Sequence, residues 1–280
     1  LHWMVHSFPT RRSSDLIMSS ITNKQVLDFI LYEKEEWANS ALMKFKTTEV
    51  LPEIFPGQFV QVKIENSPDT YLRRPLSVNF TDRENSCLWL LVQKIGPGTR
   101  KLAGLALNSK VNMILPLGKS FTLPEPAKDS FQQQIMLIGG GIGTAPLLFL
   151  GKSLHERGYS PVFLLGGRSA ADILQIDQFR LYGKVYVTTQ DGSMGERGLV
   201  TEHSILKEMQ PDRMYCCGPK PMMQAVASLA RAKNCWCEVS LENLMACGFG
   251  ACLCCVEKTT QGHVCTCTEG PVFNINQLLW

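Results

Sequence analysis

Residues 135–158 read IMLIGGGIGTAPLLFLGKSLHERG, and this stretch decides the architecture of the central part of the chain. It opens on a short apolar run of strand composition that ends in glycines. From Thr144 onward it reads as a helix, with Gly158 as the stop. Working outward, residues 161–167 (PVFLLGG), 185–192 (VYVTTQDG) and 213–219 (RMYCCGP) are three more strands, and 220–233 (KPMMQAVASLARAK) is a second helix. Strand alternating with helix builds βαβ units around a parallel sheet. Ligands of such sheets bind beyond the carboxyl ends of the strands. Three of these four strands run into glycine at that edge, and the strand from Val185 reaches Gly192 just beyond its end.

The turn Gly139-Gly140-Gly141-Ile142-Gly143-Thr144-Ala145-Pro146 departs from G-x-G-x-x-G because Thr144 occupies the sixth position. As a glycine-rich passage from strand to helix it still fits a pyrophosphate at the helix N-terminus; a purely structural turn is the alternative. Cys217-Gly218-Pro219 follows a later strand of the same sheet. Gly218 lets a nicotinamide ring approach the backbone, and Pro219 and Pro221 prepare the next helix. Cys217 is expected to face the cleft, with a buried structural thiol as the alternative for that residue. The candidates for holding NAD(H) are therefore Gly140, Gly141, Gly143, Thr144, Cys217, Gly218 and Pro219.

Before this region, FVQVKIEN (59–66), LSVNF (76–80) and CLWLLVQKI (87–95) read as short strands separated by turn residues such as Pro56-Gly57 and Gly96-Pro97-Gly98. Strands at this spacing suggest a small antiparallel barrel; pattern alone leaves a β-sandwich open. Arg73-Arg74-Pro75-Leu76-Ser77-Val78 sits at a strand start. A guanidinium pairs well with a pyrophosphate, and a strand hydroxyl suits an isoalloxazine. A surface arginine pair is the commoner explanation of that motif alone. Gly98-Thr99 leads into RKLAGLAL (100–107), which reads as a helix whose N-terminus suits phosphate.

The tail is rich in cysteine and glycine. Residues 242–273 read ENLMACGFGACLCCVEKTTQGHVCTCTEGPVF. Cys247, Cys252 and Cys255 give C-x4-C-x2-C, and a further cysteine follows a short loop, the plant-type spacing for a [2Fe-2S] cluster. A rhombic two-iron core takes thiolates from different directions, and Gly248 and Gly250 let the backbone approach without a Cβ. Zinc favours paired C-x2-C knuckles, and a disulfide framework needs an oxidising compartment. Cys254 is set aside because adjacent side chains diverge. Spacing alone leaves the fourth ligand open between Cys265 and Cys267. Cys87, Cys216, Cys217, Cys235 and Cys237 are expected to include buried thiols in a reducing cytosol. The cluster is expected to staple this segment, which is too short for a sizeable core.

The chain has 280 residues and a net charge of +3, the length of about two domains. It lacks the basic stripe of a nucleic-acid binder. It has no apolar run long enough for a transmembrane helix, and a cytoplasmic location is expected. Arg11-Arg12 is not followed by the apolar stretch of a secretion signal. SFPTRRSSDL resembles adapter-derived sequence, so residues 1–18 are set apart as a non-native or disordered leader. The expected domains are then 19–126, 127–234 and 235–280.

These segments in this order resemble the ferredoxin–NADP reductase superfamily. The tail, from SLENLMACGFGACLCCVEKT to CTEGPVF, is similar to that of the electron transfer subunits of NAD-linked dihydroorotate dehydrogenase B. The resemblance spans nearly all of residues 20–280. It implies a β plus α/β fold: an antiparallel FAD-binding barrel, a parallel-sheet nucleotide-binding domain and a small C-terminal [2Fe-2S] domain. The R-P-[IL]-S motif maps FAD binding to Arg74, Pro75, Leu76 and Ser77. A second flavin strand maps to Leu91, Val92 and Gln93, with the family often carrying tyrosine or arginine at the positions of Val92 and Gln93, and a G-T pair maps to Gly98 and Thr99. C-x-x-G-P-V-F places the fourth cluster ligand at Cys267, beside Cys247, Cys252 and Cys255.

The implied function is that of an oxidoreductase subunit with no general acid or base of its own. Electrons from an FMN-containing catalytic subunit that oxidises dihydroorotate would pass through [2Fe-2S] and FAD to NAD+, in pyrimidine (UMP) biosynthesis. The implied assembly is a heterotetramer with two of each chain. One alternative is the cluster-bearing subunit of an NADPH-dependent ferredoxin reductase or sulfide dehydrogenase. Gly167-Arg168-Ser169 suits a 2′-phosphate, and no acidic residue ends that strand to select NAD. Another is a non-enzymatic redox sensor, which lacks a recognisable DNA-binding module.

Overall fold

The computed structural model describes residues 24–65, 67, 70–127 and 133–280, so the expected leader lies outside the described residues. Among them, β1 (Gln25–Glu36), β2 (Ser40–Lys46), β3 (Phe59–Val62), β4 (Arg74–Asp82), β5 (Cys87–Gln93) and β6 (Lys110–Leu117) close into an antiparallel barrel in the order β1-β2-β5-β4-β3-β6. The period-2 pattern explains why. Leu27, Phe29 and Leu31 of β1 are buried while Asp28 and Ile30 between them are exposed. Closure comes from β1 on β6, with Phe29 opposite Val111. Phe29, Val60, Val62, Val78 and Leu90 fill the interior, so the strands form a barrel rather than a sandwich. Helix α1 (Pro97–Ala103) follows β5 and its C-cap is Gly104, so the helix expected over 100–107 covers only the first part of that stretch.

The second unit contains β7 (Ile135–Gly140), α2 (Ala145–Glu156), β8 (Val162–Gly167), α3 (Ile176–Arg180), β9 (Lys184–Thr189), β10 (Glu196–Arg197), α4 (Ile205–Glu208), β11 (Arg213–Cys217) and α5 (Lys220–Ala232). Its four long strands lie close to where the apolar runs place them. The reason is that a parallel sheet with both faces covered is apolar along each strand. One face packs Met136, Ile138, Met214 and Cys216; the other packs Leu137, Leu147, Phe163 and Tyr215.

The sheet does not stop at the expected 234/235 boundary. β12 (Trp236–Ser240) pairs parallel with β11, and β15 (Val272–Asn274) pairs antiparallel with β12. Among the described residues the sheet runs β10-β9-β8-β7-β11-β12-β15. The part standing off from it is residues 241–270, which include the hairpin of β13 (Val256–Thr259) and β14 (Gly262–Cys265) and the single turn α6 (Thr266–Glu269). Among the described residues, no helix is long and apolar enough to cross a membrane.

Barrel and sheet are locked by a buried polar clamp. Asn79 Nδ2 donates to the Ala145 carbonyl at 2.9 Å and to Gln175 Oε1 at 3.0 Å, and Gln175 Nε2 donates back to Asn79 Oδ1 at 3.0 Å. Leu42, Leu91, Ala145 and Leu174 pack beside this clamp. A fully satisfied buried network of this kind fixes one relative placement of the two units.

Candidate functional site

At the carboxyl edge of β7, β8 and β11 lies a cavity of about 650 Å³. Gly140, Gly141 and Gly143 line it, as do Gly218 and Pro219; Gln93 reaches it from the barrel and Glu242 from the segment after β12. The two expected nucleotide loops touch at Gly143. A Cβ there would sit 2.5 Å from the Gly218 Cα and 2.6 Å from the Cys217 carbonyl carbon, so this contact requires glycine.

Thr144 and Cys217, expected with these residues, do not line the cavity. Thr144 is buried and its hydroxyl donates to the Gly141 carbonyl at 3.0 Å, which holds the turn. The Cys217 thiol is buried in the sheet core, and desolvation lifts its pKa well above the thiol range, leaving it neutral. Glu242 was not legible in the sequence, because no local motif marks it. Desolvation raises its carboxyl pKa. At the β8 side of the cavity, Arg168 donates from its backbone N–H and Nε to Asp172 Oδ2, both at 3.0 Å, and from Nη2 to Oδ1 at 3.2 Å.

Arg74, Pro75, Leu76 and Ser77 begin β4. The Arg74 guanidinium lies against the first turn of α1: a Cβ on Gly98 would be 2.8 Å from Arg74 Nε. The Thr99 hydroxyl accepts from the N–H groups of Ile95 and Gly96 at 3.1 Å each and so fixes the loop before α1. Arg73 is a structural anchor, donating to the carbonyls of Gln61 and Asn112 and to Asn112 Oδ1. Leu76 packs toward the barrel core and Val92 is wholly inside it, so Val92 offers a ligand only its backbone. Leu91 belongs to the joint between the units.

The cysteine segment covers the outer face of β3 and β6. Phe59 and Leu117 pack with Cys255 and Cys267, with Ile114 and Met245 alongside. In antiparallel pairing, directly opposed residues share a face. Phe59 opposes Ser77, and Gln61 opposes Pro75. The outer face under the cysteines is therefore continuous with the strand of the expected flavin motif.

Cys247 Sγ accepts from the N–H groups of Phe249 at 3.5 Å and Cys252 at 3.4 Å. Desolvation pushes the Cys247 pKa up, but these donors, with the Cys252 thiol and the Ala251 N–H, outweigh it and bring the pKa down to about 6. Cys267 N–H donates to Cys255 Sγ at 3.4 Å. Desolvation, then the neighbouring Cys255, lifts the Cys267 thiol to about 12. Cys252 and Cys254 are exposed, Cys265 is half-buried, and Cys255 and Cys267 are buried. Among the described residues, no three His, Cys, Asp or Glu side chains converge as a single metal ion would require. The fit to a two-iron cluster rests instead on the donor chemistry: soft thiol ligands, backbone N–H groups directed at sulfur, and Gly248 at φ +80°.

A barrel, a parallel sheet with a glycine-lined cavity between them and an appended cysteine loop together define an oxidoreductase of the ferredoxin–NADP reductase type. Residues 242–279 match the family described as the iron–sulfur cluster binding domain of dihydroorotate dehydrogenase B, and residues 137–228 match the oxidoreductase NAD-binding domain. The dihydroorotate dehydrogenase B (NAD(+)) electron transfer subunit of Listeria monocytogenes serovar 1/2a is 37% identical over 88% of this chain and 96% of its own. The corresponding subunit of Shouchella clausii is 36% identical over 80% and 86%. An NADH-dependent reduced ferredoxin-NADP oxidoreductase structure superposes with a TM-score of 0.79 at 25% identity, covering 90% of each chain. The cytochrome b5 reductase domain of Ulva prolifera nitrate reductase shares the fold, with a TM-score of 0.60 at 16% identity over 75% of this chain and 93% of its own. The chain belongs to the family of dihydroorotate dehydrogenase B electron transfer subunits and is an oxidoreductase subunit.

Proposed function

We propose that this chain links a dihydroorotate-oxidising, FMN-containing catalytic subunit to NAD+, in a cytoplasmic complex of two of each chain serving pyrimidine biosynthesis. The observation that carries the reading is the continuity of three sites. The cysteine loop packs on Phe59, Phe59 opposes Ser77 on the flavin-motif strand, and Gln93 of the neighbouring β5 lines the nucleotide cavity. When bound, a [2Fe-2S] cluster carries single electrons and FAD converts between one- and two-electron chemistry, which hydride transfer to NAD+ demands.

In this reading each side chain has a positioning task. Cys247, Cys252, Cys255 and Cys267 hold the cluster, and the backbone donors at Cys247 keep its sulfur anionic. Arg74, with the first turn of α1 at Gly98, binds the flavin pyrophosphate. Ser77 and the backbone of Leu91, Val92 and Gln93 face the ring, while Pro75, Leu76 and Thr99 shape the groove. Gly140, Gly141, Gly143, Gly218 and Pro219 admit the nicotinamide nucleotide, with Thr144 and Cys217 supporting those loops from beneath.

The test is anaerobic reconstitution of the chain, followed by mixing with the FMN-containing subunit encoded in the same genome. NAD+ reduction driven by dihydroorotate is expected only with both chains present. No turnover, with intact flavin and cluster spectra and a catalytic subunit active toward an artificial acceptor, would overturn the reading in favour of a different reductase complex.

A further inference from the structure

Gln61 is a polar side chain on the apolar outer face of the barrel. Its strand neighbours Val60 and Val62 point inward, whereas Phe59, on the same face as Gln61, and Ile114, opposite it on β6, meet the cysteine segment. Gln61 has no exposed surface, and among the described residues neither its Nε2 nor its Oε1 has a hydrogen-bond partner. Buried amides without partners are costly and rare, and call for an explanation. The direction of this one is defined by Gly248: a Cβ there would lie 2.5 Å from Gln61 Nε2. Gly248 follows Cys247 directly, inside the C-x4-C turn. A residue serving only to fill this space would be apolar, as Phe59 and Ile114 are.

Accepting that this turn holds the cluster, we propose that Gln61 is a positioning residue for it, donating from its carboxamide N–H to cluster sulfur beside Cys247. Reduction adds negative charge to the sulfurs, so a donor stabilises the reduced state and raises the reduction potential. Gln61 also opposes Pro75 on β4, which puts this donor between the cluster turn and the flavin-motif strand.

The experiment uses the full chain carrying cluster and FAD, labelled with 15N in glutamine side-chain amides and reduced. Pulsed EPR of the reduced cluster is expected to detect a 15N coupling in the wild type. In Gln61→Met, whose side chain has similar length and no N–H donor, the coupling should vanish and the EPR-monitored cluster potential should fall, with full cluster absorbance and an unchanged flavin potential. Gln61→Glu, which lacks the N–H donors but keeps the size, serves if the methionine variant fails to assemble. Absence of coupling in the wild type, an unshifted cluster potential in the variant, or a shift confined to the flavin would each overturn the inference. A chain that takes up no cluster would overturn the reading of the turn and the inference with it. Coupling present in a chain that fails the dihydroorotate assay would support the role of Gln61 while removing only the proposed partner.

Discussion

Arg168 illustrates how a single side chain changes meaning once its partner is known. Following β8, it stands where a cation would grip a 2′-phosphate, and the sequence gives no acidic residue at the end of that strand to argue otherwise. The acidic residue is Asp172, four positions on, which binds the guanidinium through two oxygens. The Arg168 hydrogen bond, foremost, holds the Asp172 carboxyl below the usual carboxylate range, so the carboxylate stays charged at neutral pH. In this pair the Asp172 carboxylate cancels the Arg168 charge, so this wall of the cavity offers a 2′-phosphate no net attraction. Removing the carboxylate in Asp172→Ala frees Arg168 toward the cavity. The NADPH/NADH ratio of kcat/KM is expected to rise by about tenfold or more, the equivalent of one hydrogen bond to a charged group at about 1.5–3 kcal/mol. Steady-state flavin reduction with each nucleotide measures it; an unchanged ratio would place the ribose elsewhere.

Among the elements, β12 was the least legible. The run WCEVS is a buried strand, but it lies where cysteine content rises, and composition merges it with the metal-binding tail. Cys235 and Cys237 are core thiols: burial lifts Cys235 to about 11 and Cys237 higher still. By contrast β7, β8 and β11 were legible because burial on both faces leaves apolar runs, and β9 because VYVTT is β-branched or aromatic throughout. On β12, Glu238 accepts from the Thr122 N–H at 2.8 Å and its hydroxyl at 2.7 Å, tying the stretch after β6 to the sheet. Desolvation outweighs these bonds and raises the Glu238 pKa. Between the ordinary carboxylate value of about 4.3 and the raised folded value, the folded state keeps a proton that the unfolded chain has lost. Stability therefore falls as pH rises through that window. Glu238→Gln removes this titration and retains one acceptor. Its Tm relative to wild type should climb from pH 4 to pH 7, whereas Glu238→Ala should cost about 1–3 kcal/mol by leaving the Thr122 N–H unpaired. A constant difference between wild type and Glu238→Gln across that range would reject the titration.

At the scale of the whole molecule, the sequence displayed each site locally and concealed how the sites meet. The glycine turn, the R-P-L-S strand and the cysteine spacing are all short-range patterns. The contacts that join them are long-range: Asn79 with Gln175, Phe59 with Cys255 and Cys267, Glu242 at the nucleotide cavity. Although the sites adjoin, each is built from its own residues, which makes the proposed route divisible. Cys252 lies on the exposed side of the cysteine turn, and neither the nucleotide cavity nor β4 includes it. A serine there replaces a soft thiolate with a poor iron ligand, while the barrel and sheet keep their own cores. In the complex with the catalytic subunit, Cys252→Ser should reduce dihydroorotate-driven NAD+ reduction by about a hundredfold or more, because losing a ligand itself costs at least as much as the roughly 10–100-fold typical of losing an outer-shell partner. Flavin reduction by NADH, followed by stopped-flow absorbance, should stay within about twofold of wild type, because that half-reaction depends on the cavity and Arg74 rather than on the cysteine turn. A variant verified to lack the cluster and yet giving full coupled turnover would mean that electrons enter the barrel by another path.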